Sequence, residues 1–134
     1  MNTTVTRDRA GKMKHVVTIR HHSLVVDESV EVGGEDLGPS PHDLYDAALG
    51  ACKALTTLWY ANRKQIPLED IQVTVERDSS EERKGTYRLR TTLALGGPLT
   101  AEQRQELVNV AGKCPLHKLM TQVTTEITTE LAPA

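Results

Sequence analysis

Cys52 and Cys114 are the side chains of this sequence with the widest chemistry open to them. They lie far apart in the chain, and neither a Cys-x-x-Cys pair nor a zinc-finger spacing accompanies them. Two readings remain: inert thiols packed in a core, or a redox pair cycling between dithiol and disulfide. Cys114 precedes Pro115, a residue suited to the first position of a helix. That places Cys114 near an N-cap, where the positive end of the helix favours a thiolate and Lys113, His117 and Lys118 are close in sequence. Cys52 falls far from any helix start, so burial alone would leave it inert and its reactivity needs a cation from elsewhere in the fold. On the residues alone, Cys114 is the better candidate for an ionised thiol.

The histidines His15, His21, His22, His42 and His117 show no metal-binding helical spacing. No metal or cofactor is expected. His42 lies roughly 15 Å from Cys52 along one helix, so it would reach a cysteine only across an interface or through the fold. Asp43 and Asp46 are explained by the preference of acids for a helix N-terminus. Gly33, Gly34 and Gly38 are not followed by the Gly-Lys-Ser/Thr of a phosphate loop.

The element that must carry Cys52 is a long helix. Ser40 can cap it, Pro41 opens it, and the pattern runs to about Lys64, on the order of 35 Å. Placed at ~100° steps, Asp43, Asp46, Lys53, Thr57 and Lys64 form a narrow polar stripe that includes Gly50. Most of the remaining circumference is apolar or small, and Cys52 sits opposite the stripe with Tyr45, Leu49, Leu55, Thr56 and Trp59. A helix of this kind is buried on more than one side, which for so short a chain predicts a homodimer with this helix at its centre. Before it, Val17–Ile19 and Leu24–Val26 read as a hairpin, and Asp27–Ser40 as a loop rich in turn formers. After Pro67, Ile71–Val75 and Tyr87–Leu95 read as a second hairpin. Thr100 with Gln103 forms a capping box for a helix to Lys113, and a short helix follows from Pro115. Val123, Ile127 and Leu131 alternate with polar residues as in a half-buried strand. The order predicts a single α+β domain over residues 1–134.

Composition narrows the partners. The chain has 134 residues, 16 Lys+Arg and 18 Asp+Glu, for a net charge of −2. Nucleic acid is disfavoured, because a phosphate-tracking surface needs a basic excess. No apolar run approaches the roughly 18 residues of a membrane span. The first residues have no apolar core of a secretory signal, so a soluble cytoplasmic domain is expected. There is no Phe, and aromatics make up 3%, so the core must be built from aliphatic side chains and Met.

The stretch GGEDLGPSPHDLYDAALGACKALTTLWYANRK, with KCPLHK further on, resembles the OsmC/Ohr family and its branch reading GGxDxGPSPxxLxxAALGAC and KCPxH. The resemblance spans nearly the whole chain. It implies an α+β intertwined homodimer with antiparallel strands, a long central helix and two sites at the interface. It also implies thiol-dependent reduction of organic hydroperoxides, in which Cys52 attacks the peroxide and Cys114 resolves the sulfenic acid, with a dithiol as reductant. Peroxidase members of the family carry a Glu that orients an Arg beside the reactive cysteine. Here His42 stands at the Glu position, and Arg20 is the candidate Arg. Tyr45, Leu49, Trp59 and Met120 are the apolar residues that could line a substrate pocket. The alternative is a non-catalytic dimeric module that binds a small apolar or electrophilic ligand and keeps its cysteines for structure.

Overall fold

The computed structural model describes residues 1–134, which divide into two compact units, Met1–Ala47 and Ala48–Ala134. In the first unit, β1 (Thr3–Arg7), β2 (His15–Ile19) and β3 (His22–Val26) form an antiparallel sheet in that order. Its register sets Val5 opposite Val17, and Val17 opposite Leu24. The β2–β3 hairpin matches the sequence expectation. β1 was not expected: its residues are all exposed, so it lacks the burial alternation that marks a strand, and only its β-branched run could have signalled it. The β2–β3 turn is Arg20–His21, and Arg20 holds a left-handed φ of 55°. The loop that follows contains a short 3-10 turn at Val30–Val32.

Helix α1 runs over Pro41–Lys64, the span read from the sequence, and crosses from one unit into the other. Its start is fixed by a reciprocal cap. The Asp43 amide donates to Ser40 Oγ at 3.2 Å, and the Ser40 amide donates to Asp43 Oδ2 at 3.0 Å.

In the second unit, β4 (Asp70–Asp78) and β5 (Arg88–Gly96) form the second antiparallel hairpin, pairing Ile71 with Leu95 and Val73 with Leu93. Every second residue of β4 is partly buried up to Val75, as strand periodicity requires. Helix α2 (Ala101–Ala111) opens on the expected capping box of Thr100 and Gln103. Helix α3 covers Pro115–Thr121. Leu107 of α2 packs with Ala61 and Ile66 in the core, flanked by Tyr60, Leu68, Leu95 and Leu99. Gly50 lets α1 approach the hairpin closely: a Cβ there would lie 2.9 Å from Val75 Cγ2.

Two expectations are corrected. Residues 123–131 form no strand, and Val123, Ile127 and Leu131 are exposed. Alternation gives a segment one apolar face, but a strand also needs a neighbouring strand to bond its backbone. The circumference of α1 is also used differently. Asp46, Lys53 and Thr57 of the polar stripe are buried, together with Gly50, whereas Leu55, Leu58 and Trp59 face outward. The helix turns its small and polar line inward because Gly50 and Thr57 permit close packing and Lys53 finds buried acceptors there.

Candidate functional site

Both cysteines are free thiols in the second unit. Cys52, on α1, is partly exposed, and its Sγ lies 3.9 Å from Thr56 Oγ1 one helical turn on. That contact is long even for sulfur, so Thr56 holds the thiol only weakly. Cys114 is the N-cap of α3 with Pro115 directly after it, where the sequence places it, and its backbone is extended (φ −61°, ψ 149°). Its side chain makes no capping hydrogen bond and is fully buried.

The group that ties these two regions together is Lys53. It follows Cys52 in α1 and is buried. Its Nζ donates to the Ala111 carbonyl at 2.9 Å and lies 3.0 Å from His117 Nδ1. An ammonium has donors and no acceptor, so Nδ1 must be the acceptor. An Nδ1 that accepts from an ammonium carries no proton itself, which puts the ring proton of His117 on Nε2 in this arrangement. The Ala111 carbonyl also accepts the Cys114 amide at 3.3 Å. Thr57 Oγ1 in turn donates to the Lys53 carbonyl at 2.7 Å. The sequence reading puts Lys53 in a polar stripe and gives it no role. The available signal was a Lys on the same helical line as Gly50 and Thr57, which is not where a solvated lysine belongs.

A second pair was also missed. The Tyr60 hydroxyl donates to Glu106 Oε2 beside an open groove of about 440 Å³ that Asn109 and Lys113 help to line. The Glu106 carboxylate, with burial, holds the Tyr60 phenol above its ordinary range.

The other expected site residues fall in both units. Arg20 and His42 belong to the first unit, Arg20 in an exposed turn and His42 in the exposed first turn of α1. Leu49 is buried and Met120 partly buried, whereas Tyr45 and Trp59 are exposed in the single chain. Trp59 carries the Arg63 guanidinium 5.2 Å above its ring. Besides Asp46, the first unit buries the polar group of Asp27. Its carboxylate accepts the amides of Glu28 at 2.8 Å, Leu37 at 3.1 Å and Glu35 at 3.2 Å.

The family model described as OsmC-like protein matches residues 33–130. The chain belongs to the OsmC-like family. Solved structures agree on the α+β fold. An OsmC-like protein from Mycoplasma pneumoniae superposes with a TM-score of 0.73 at 18% identity, over 91% of this chain and 87% of that one. The organic hydroperoxide resistance protein OsmC from Legionella pneumophila gives 0.66 at 24% identity, over 91% and 90%. The organic hydroperoxide resistance protein OhrB of Bacillus subtilis gives 0.59 at 23%, over 90% of each chain. No curated protein matches this OsmC-like chain. No helix of it is long and apolar enough to cross a membrane.

Proposed function

We propose that this OsmC-like chain is a homodimeric thiol peroxidase acting on organic hydroperoxides. The observation that carries the reading is the pairing, within one unit, of a partly exposed thiol at Cys52 with a buried thiol at Cys114. They lie in a family whose structural neighbours include proteins named for organic hydroperoxide resistance. The Cys52 thiolate attacks the terminal peroxide oxygen. The O–O bond breaks, the alkoxide leaves and takes up a proton as the alcohol, and Cys52 becomes a sulfenic acid. Cys114 then attacks the Cys52 sulfur, hydroxide leaves as water, and a disulfide forms. A dithiol returns the pair to thiols by exchange.

Arg20 and His42 are the residues proposed to activate Cys52, and Tyr45, Leu49, Trp59 and Met120 those proposed to face the substrate. The dimer is inferred from the outward apolar side chains of α1 and from the unpaired residues 123–131, which a second copy would supply with an edge.

The test adds one equivalent of cumene hydroperoxide to reduced protein, quenches rapidly and weighs the product. A loss of about two mass units, with a Cys52–Cys114 crosslinked peptide, is the expected result. Survival of both thiols for minutes would overturn the peroxidase reading in favour of a ligand-binding module.

A further inference from the structure

Cys114 has no exposed surface, yet any chemistry at its sulfur requires contact with a reactant. The chain before and after Cys114 is held by one side chain. The buried Lys53 ammonium bonds the Ala111 carbonyl, before Cys114, at 2.9 Å. It also bonds His117 Nδ1, after Cys114, at 3.0 Å. The Ala111 carbonyl is the same acceptor that holds the Cys114 amide. We propose that Lys53 is a positioning residue for Cys114: it latches the corner between α2 and α3 and sets how often Cys114 is released to react.

The physical argument is one of asymmetry. Hydrogen bonds to a charged donor are stronger than neutral ones. A corner that swings away parts the ammonium from both acceptors and leaves water in their place, a cost above that of parting two neutral groups. The closed corner is therefore favoured by the residue adjacent to Cys52. Cys114 reacts from a minority open state, in the manner of other locally opening segments. The use of this latch in turnover rests on the two-cysteine reading above; its existence does not.

The experiment measures labelling of Cys114 by 4,4′-dithiodipyridine in a Cys52→Ser background, under native conditions, as a rate set by local opening. Lys53→Met, which fills the same space without charge, is expected to speed labelling roughly ten- to a hundredfold, the loss of two charge-assisted bonds. His117→Leu is expected to speed it as well. His117→Asn, whose side-chain oxygen can replace Nδ1 as acceptor, is expected to stay near the parent rate. Amide exchange in the β4–β5 hairpin is followed in parallel. If hairpin exchange rises by the same factor as Cys114 labelling, Lys53 is a general stabiliser and the latch is overturned. An unchanged labelling rate in Lys53→Met also overturns it. So does a nitrogen-15 spectrum showing the His117 proton on Nδ1 at neutral pH. If Lys53→Met does not fold, the His117→Leu and His117→Asn pair decides the question. Failure of the parent protein to consume hydroperoxide would remove the two-cysteine reading and leave the labelling result standing.

Discussion

At the scale of single residues, Asp27 shows how one buried carboxylate can order a loop without regular structure. Its three amide donors come from Glu28, Glu35 and Leu37. Those donors, the Glu28 amide above all, hold its pKa below the ordinary carboxylate range. A group with a lowered folded pKa binds its proton less readily when folded than when unfolded. Its contribution is therefore full above the unfolded value of about 3.9 and is lost as pH falls through the lower folded value. Amide exchange at Glu35 and Leu37 should accelerate as the medium is acidified through that window, after correction for intrinsic rates. In Asp27→Asn it should already be fast near neutrality. Protection at these amides that is unaltered by the substitution would refute the role. The sequence could not reveal Asp27, because the convergence of three amides depends on how the glycine-rich loop turns. Cys114 was legible as an N-cap because Pro115 is its immediate neighbour. Lys53 was not, because its partners lie 58 and 64 residues away in the chain.

At the scale of elements, local signals were read correctly and facing was not. The start of α1 at Pro41, the capping box of α2 and the alternation along β4 all follow from residues a few positions apart. Which side of α1 turns inward depends on what packs against it, and there Gly50 is informative. An Ala at this position raises helix propensity by up to about 1 kcal/mol. Its methyl group would sit 2.9 Å from Val75 Cγ2, a β-branched side chain with little freedom to move. Overpacking of this kind costs about 1–3 kcal/mol, so the clash outweighs the propensity. Gly50→Ala should lower stability by about 1 kcal/mol in urea unfolding. Adding Val75→Ala should recover part of the loss that Gly50→Ala causes, as a coupling in the double-mutant cycle. A stabilised Gly50→Ala protein would show that α1 and β4 are not in close contact. At the helix start, Ser40→Ala should cost about 1 kcal/mol, the usual value of a lost N-cap.

At the scale of the whole molecule, the apolar surface of the single chain needs a destination. Leu55 is 68% exposed and Trp59 59%, while Ile127 and Leu131 of the unpaired C-terminal segment are 83% and 96% exposed. Fully burying a side chain of this kind is worth about 1.5–3 kcal/mol, and the four together could supply much of what a stable association requires. Segment 123–131, alternating in sequence yet without a strand neighbour, is the form expected of a strand whose edge belongs to another copy. Leu55→Glu combined with Ile127→Asp should shift the protein from dimer to monomer at micromolar concentration in light scattering. Truncation after Gln122 should do the same if the segment is exchanged between copies. Because Arg20 and His42 are proposed to act on Cys52, hydroperoxide consumption should fall with the dimer population if they come from the partner. In that case both thiols would still titrate as free cysteines. A parent protein that is monomeric at micromolar concentration would sink the dimer. A monomeric variant that retains full turnover would instead place every group the chemistry needs within one chain, and Arg20 and His42 would then have to act on Cys52 of their own chain or not at all.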